Sequence, residues 1–265
     1  MVVKLIPELC IEELSNFSDI VLSMSGGTQS TAIALDLAEQ GVEFRMCHHD
    51  TGLESKRTRE VINRIAEELE VELTIMKPIM SPKEAVMTGF QSIKFAMDRE
   101  KQGKKFKHDW FKCCNHLKHE PAARFRATLD VDRAITILGF AAYDSFRRGV
   151  WLNELRTRTG RCEGNKYEFC HFPKSMKNTI WHCYPLRDHR SKNVMRQFLD
   201  DHGFHEVRRS GCQICPIILY KKAVKQDPKC YLRSKKFFMK HFQGHEFCGE
   251  LKSRTDDLTV FDFLE

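Results

Sequence analysis

Two hydrophobic periodicities alternate along the first third of the chain. Asp19 to Ser25 (DIVLSMS) is a short apolar run of strand length, and Gln29 to Gln40 repeats apolar residues at helical spacing before Gly41 stops it. Val42 to His49 reads as the next strand, Ser55 to Leu69 as a helix and Val71 to Met76 as a third strand, giving two strand–helix–strand crossovers. Such units build a parallel sheet flanked by helices. From Phe90 to Asp109 the apolar spacing fades and charges crowd in, which predicts an exposed connection or flap. A helix is expected from Asn115 to Thr128 and a buried strand from Asp132 to Gly139. Trp151 to Thr179 is polar and irregular and carries no assignment, Ile180 to Leu186 reads as a strand, Lys192 to His202 as a helix, and the chain from Ile217 onward as a basic helical tail.

Composition narrows the class. The 265 residues are 42% apolar and 30% charged, the balance of an ordinary globular protein. No apolar run approaches the roughly 20 residues that span a bilayer, and Met1 to Pro7 is too short for a signal-peptide core. The expectation is a cytoplasmic protein with no membrane partner. Eleven cysteines form an odd and large count for such a chain, which favours metal or redox chemistry over a disulfide framework. The net charge of +7 favours anionic partners such as nucleotide phosphates, sulfate esters or nucleic acid.

Ser25-Gly26-Gly27-Thr28-Gln29-Ser30-Thr31 lies where the first strand turns into the first long helix. Adjacent glycines let backbone approach a phosphate, and the helix N-terminus offers unpaired N–H groups and partial positive charge. Ser25, Ser30 and Thr31 add hydroxyls; the plainer alternative is a tight turn and nothing more. His49-Asp50-Thr51-Gly52-Leu53-Glu54 closes the second strand, at the carboxyl edge where open α/β sheets bind ligands.

Cys113-Cys114 and, much later, Cys212-Gln213-Ile214-Cys215 supply four thiols. Four thiolates bind tetrahedral Zn²⁺ or a [4Fe–4S] cluster, and both remain open here. Adjacent cysteines have diverging side chains that reach two corners of a bulky cluster more easily than two positions around one small ion. A redox dithiol at Cys212 and Cys215 is a further alternative.

These blocks, in this order, resemble the phosphoadenylyl sulfate (PAPS) reductase branch of the PP-loop superfamily. The glycine turn resembles the PP-loop Ser-Gly-Gly-x-Asp-Ser, with Gln29 in place of the aspartate, and Asp50-Thr51-Gly52 resembles a second block of that family. Gly139 to Arg148 resembles its Gly-Ile-Arg-x-x-Glu-Ser-Arg block, with Ala141 where the first arginine stands. Arg208-Arg209 before Cys212 and Tyr184-Pro185-Leu186-Arg187-Asp188 extend the match. The resemblance implies a Rossmann-like, adenine nucleotide alpha hydrolase-like sheet with an Fe–S-binding C-terminal portion. It places a nucleotide-binding domain carrying the cluster ligands in residues 1–216 and a basic helical tail in 217–265. It implies an adenine nucleotide (ATP, PAPS or APS) on Ser25 to Thr31 and Asp50 to Gly52, Mg²⁺ if ATP is the ligand, and sulfate or phosphate on Arg147, Arg148, Arg208 and Arg209. It assigns a [4Fe–4S] cluster to Cys113, Cys114, Cys212 and Cys215.

The implied reaction reduces a nucleotide-sulfate to sulfite, with a cysteine near the C-terminus attacking sulfur and a thiol reductant such as thioredoxin resolving the product. Cys248, in Glu246-Phe247-Cys248-Gly249-Glu250, is the candidate nucleophile, which His245, Lys240 or Lys252 would have to activate. Two alternatives stand beside it: an ATP-dependent enzyme delivering sulfur to DNA or tRNA, and a non-catalytic nucleotide- and cluster-dependent regulator. A homo-oligomer is compatible with all three.

Overall fold

Five strands run parallel in one sheet and a sixth, two residues long, pairs antiparallel at one edge. The computed structural model describes residues 4–105, 111–141, 167–171, 180–188, 191–207, 211–221 and 227–252. The strands are β1 (Asp19–Ser23), β2 (Arg45–His49), β3 (Leu73–Met76), β4 (Ala134–Ile137), β5 (Cys170–His171) and β6 (Trp181–Cys183), in the spatial order β3-β2-β1-β4-β6-β5. Strand order therefore reverses between β1 and β4, the switch point beside which such sheets open a crevice at their carboxyl ends. All four residues of β4 are buried, as expected of a strand covered on both faces.

The helices are α1 (Glu8–Leu14), α2 (Thr28–Glu39), α3 (Lys56–Glu68), α4 (Pro82–Lys101), α5 (Glu120–Arg126), α6 (Lys192–Asp201), α7 (Pro216–Tyr220), α8 (Pro228–His241) and α9 (Glu246–Lys252), with a π-helical turn at Asn115–His119 before α5. None among the described residues is long and apolar enough to cross a membrane. Helix α2 follows the glycine turn and is buried on most sides. It packs against α6, and its Asp36 carboxylate accepts the Leu5 and Ile6 N–H groups at 3.2 and 2.7 Å. Burial still lifts the Asp36 carboxyl above its ordinary range, against those hydrogen bonds.

Helix α1 owes its place to tertiary contacts. The buried Glu13 carboxylate accepts the backbone N–H groups of Glu168, of Phe169 at 2.7 Å and of Cys170 at 3.0 Å. Charge-assisted bonds of this kind are roughly twice as strong as neutral ones.

The chain forms two compact units, each assembled from separated stretches. The first comprises residues 1–49, 56–76 and 122–210, the second residues 50–55, 77–121 and 211–265. The first holds the sheet and a core that includes Leu22, Met24, Ile33, Ile135 and Ile137. The second is helical, around Phe90, Ile93, Phe111, Phe238 and Phe247. Each of these phenylalanines, fully or almost fully buried, contributes about 2 kcal/mol from apolar area alone.

The exposed connection expected over Phe90 to Asp109 is instead helical as far as Lys101. Val86, Phe90, Ile93 and Ala96 form a buried stripe at helical spacing, while the charges that masked it lie on the other side. Helix α4 starts at a capping box: the Ser81 hydroxyl accepts from Glu84 N, the Glu84 carboxylate accepts from Ser81 N, and Pro82 follows the cap.

Candidate functional site

The glycine turn of the first unit is fixed by both backbone conformation and space. Gly26 sits at φ +68°, and a Cβ there would lie 2.9 Å from side-chain carbons of both Thr58 and Ile62, so conformation and space both require glycine. Gly27 caps α2 without any side-chain cap hydrogen bond, and the N-terminus of a helix presents N–H groups and a positive dipole end to an anion. Gly139, just past β4, lies close enough that a Cβ would be 3.2 Å from Gln29 Cβ and 3.3 Å from Ser30 N. The turns after β1 and β4 thus meet at the switch point.

The hydroxyls divide by role. Ser25 is exposed, whereas Thr28, Ser30 and Thr31 are buried. The Ser30 hydroxyl donates to the Gly27 carbonyl at 3.2 Å, accepts from Ser25 N at 3.2 Å and lies 3.0 Å from Ser25 Oγ. Ser30 therefore shapes the turn, and Ser25 with the backbone is what a phosphate would reach. Gln29 is half-buried at the same turn. Arg147, Arg148, Arg208 and Arg209 lie outside the described residues, as do Asp144 and Ser145.

Asp50 to Ser55, directly following β2, belongs to the second unit and braces its cysteines. The Asp50 carboxylate accepts from Gly52 N at 3.0 Å, a local turn in which Gly52 takes φ +68°. The Thr51 hydroxyl donates to Glu54 at 2.5 Å and lies 3.9 Å from Cys212 Sγ, while Leu53 O accepts from Gln213 N at 2.8 Å. Thr51, expected against nucleotide, is fully buried and supports the cysteine loop.

Cys113, Cys114, Cys212 and Cys215 come together in this unit, from segments far apart in sequence. Cys113 is buried and the other three half-buried. Cys113 and Cys114 share a hydrogen bond, which with burial and with Cys215 and Cys212 nearby drives the Cys113 thiol far up. The same bond draws the Cys114 thiol down to about 6. Burial raises Cys212 and lifts Cys215 to about 11. The Cys215 N–H donates to Ser234 Oγ at 2.8 Å, and Cys230 donates to the Cys212 carbonyl at 3.2 Å, so α8 also holds this loop. The four cysteines are neighbours in this unit, but among the described residues no group of three or more His, Cys, Asp or Glu side chains is placed to hold a metal ion.

The surroundings suit a thiolate-ligated group. Gly89, inside α4, leaves room that a Cβ would fill: it would lie 2.8 Å from both Cys113 Sγ and Pro216 Cγ. A mid-helix glycine costs about 1 kcal/mol relative to alanine, and close approach of α4 to Cys113 is what it permits here. Lys118 faces the group. Burial pulls its ammonium down, but Cys212, Cys114, Glu54 and Cys215 outweigh burial and leave it above its ordinary value. No motif in the sequence marks Gly89, Cys230 or Ser234 as part of this group, and for Lys118 the available signal is its four-residue step from Cys114, about one helical turn.

Cys10, Cys170 and Cys183 form another grouping that the sequence left without a role. Cys10 and Cys183 sulfurs are 3.5 Å apart, Cys170 pairs with Cys183 across β5 and β6, and all three are wholly buried. Cys248 is only 7% exposed, donates to the Phe242 carbonyl at 3.2 Å and packs in the second unit's core. His245, expected to activate it, instead accepts from Phe247 N at 3.1 Å.

A family model described as the phosphoadenosine phosphosulfate reductase domain matches residues 19–208. No curated protein matches the chain. Among solved structures, it is similar to phosphoadenylyl-sulfate reductase from Candida auris in a phosphate complex (15% identity over 74% of this chain and 78% of that one, TM-score 0.47). It is also similar to the NH3-dependent NAD synthetase of Campylobacter jejuni (16% identity over 86% and 85%, TM-score 0.40). A third is a predicted subunit of tRNA methyltransferase from Methanocaldococcus jannaschii (13% identity over 69% and 75%, TM-score 0.38).

Proposed function

Because the chain belongs to the phosphoadenosine phosphosulfate reductase domain family, we propose that it is a PP-loop enzyme that binds an adenine nucleotide, carries a [4Fe–4S] cluster and reduces or transfers activated sulfur. The observation that carries this reading is the gathering of Cys113, Cys114, Cys212 and Cys215 in one unit with the Lys118 ammonium facing them. Four thiolates around one site accumulate negative charge, and an ammonium among them, as Lys118 supplies, is the counter-charge such a site needs. When bound, a cubane cluster supplies a redox centre and a fixed charge tuned by its hydrogen bonds and exposure. Cys113 is the ligand shielded from water, Ser234 and Thr51 brace the Cys212–Cys215 loop, and Gly89 leaves the room that Cys113 occupies.

On the nucleotide side, the N-terminus of α2 and the Ser25 hydroxyl hold a phosphate or sulfate anion. With a nucleotide-sulfate, an external dithiol supplies two electrons: nucleotide and sulfite leave, and the dithiol leaves as a disulfide. The placement of Cys248 favours an external thiol as nucleophile, since its own sulfur is buried and engaged.

Anaerobic purification tests the cluster: a brown protein with four irons and absorbance near ~400 nm is expected, and a colourless zinc protein overturns it. Sulfite released from PAPS or APS with thioredoxin tests the reaction, and Cys248→Ser is expected to retain it. Transfer of labelled cysteine sulfur to DNA or tRNA, dependent on ATP, would instead establish the second reading. What favours that reading is the basic second unit, with 20 lysines and arginines against 14 aspartates and glutamates, net +6 of the chain's +7.

A further inference from the structure

We infer that the exposed face of α8 is a docking surface for the phosphodiester backbone of nucleic acid. Lys229, Arg233, Lys236 and Lys240 recur at steps of four, three and four residues, which places them on one side of the helix, and all four are exposed. At 1.5 Å per residue they span roughly 16 Å. The opposite side, with Cys230, Tyr231, Ser234 and Phe238, is buried.

A solvated helix usually intersperses its cations with carboxylates, as α3 does in the same protein: Lys56 pairs with Glu60 at 3.4 Å and Arg64 with Glu68 at 2.6 Å. Helix α8 has five lysines and arginines and no aspartate or glutamate between Pro228 and His241. Among the described residues, Lys229, Lys236 and Lys240 have no carboxylate within ion-pair distance, and Arg233 donates to the neutral Gln213 side chain at 2.6 Å. Like charges one turn apart repel, and Lys229 also sits at the helix end where a cation is disfavoured. A polyanion laid along the stripe relieves both costs.

The same helix places that partner usefully. Ser234 and Cys230, on its buried face, hold the Cys212–Cys215 loop, so nucleic acid on the exposed face lies about one helix diameter, ~10 Å, from the cysteine group. The inference deepens the nucleic-acid reading above, but its test measures binding without turnover and stands apart from it.

Fluorescence anisotropy with labelled duplex DNA and labelled tRNA, on the anaerobically purified full chain, provides that test. Four phosphate contacts give log Kd a slope of about 3 to 4 against log salt, so affinity should fall on the order of 100-fold between 50 and 200 mM. The variant Lys229→Gln, Arg233→Gln, Lys236→Gln, Lys240→Gln should abolish most of that slope and weaken binding by a similar factor at 50 mM, with iron content and Tm unchanged. Neutralising Lys56, Arg57 and Arg59 on α3 should change it less than threefold. Preference for one nucleic acid over the other identifies the partner. No binding at 50 mM salt, an unaltered quadruple variant, or equally tight and equally sensitive binding to phosphatidylserine vesicles overturns the inference.

Discussion

The two cysteine groupings of this protein hold similar numbers of thiols and differ in everything around them. Cys10, Cys170 and Cys183 are wholly buried at the edge of the sheet, and the Glu13 carboxylate near Cys170 accepts backbone N–H groups. Burial pushes the Cys183 thiol well up, and Cys170 is raised as well, although its bond to Cys183 opposes that. Cys114, Cys212 and Cys215 keep partial exposure while Cys113 is buried, the Lys118 ammonium lies among them, and Cys114 is drawn below its ordinary value. Thiols become ligands or nucleophiles as thiolates, so proximity of sulfur is not enough; an accessible edge and a compensating cation separate a reactive group from packing.

The widest separation should come from iron. Cys212→Ser or Cys114→Ser is expected to remove most of the cluster iron measured after anaerobic purification, whereas Cys183→Ser should leave four irons per chain and lower only Tm. Equal loss from both would mean that exposure and the Lys118 cation do not set the two groups apart. Gly89→Ala should come next. Its Cβ would press on Cys113 Sγ and Pro216 Cγ at 2.8 Å, and overpacking of this kind costs about 1–3 kcal/mol. A drop in both denaturation midpoint and iron occupancy is expected, and unchanged iron would show that Cys113 can shift freely.

Much of this arrangement was legible from the chain. The β1–turn–α2 unit announced itself because an apolar run, two glycines and a helical repeat occur in succession, and local sequence dictates local structure there. Cys113 and Cys114, and Cys212 and Cys215, stood out because paired cysteines at such short spacing are unusual, and their neighbourhood in the fold comes from tertiary structure. Helix α4 was not, since Lys94 and Asp98 to Lys101 dominated its composition while Phe90, Ile93 and Ala96 carried the buried stripe; the Ser81–Glu84 box was the overlooked signal. Helix α1 and the grouping of Cys10 with Cys183 depend on contacts over more than 150 residues, which no local pattern encodes. The contact of Thr51 with Cys212 is likewise tertiary, across 161 positions of sequence.

Alkylation of metal-free protein offers a finer test. With iodoacetamide under native conditions, Cys114, Cys212 and Cys215 should be modified well before Cys10, Cys170 and Cys183, which should react only once the first unit opens. Peptide mapping reads the order directly. Early labelling of Cys183 would place the first grouping among the reactive thiols.

The smallest effect concerns how the first unit closes its charges upon each other, in contrast to the open cations of α8. His202, at the end of α6, lies with Nε2 2.8 Å from the Glu39 carboxylate of α2. Burial pulls its imidazole down, but the Glu39 hydrogen bond, the Phe198 carbonyl and nearby acids outweigh it and leave the folded value above 6.5. Protonation is therefore favoured more in the folded than in the unfolded chain. The stabilisation is fully present below pH 6.5 and is lost as pH rises through the higher folded value. Because both groups are partly exposed, the increment is about 0.5 kcal/mol. Urea midpoints measured between pH 6 and 8 should decline by that small amount in the wild type and stay flatter in His202→Gln. An identical decline in both proteins would show that the contact between α2 and α6 rests on apolar packing alone.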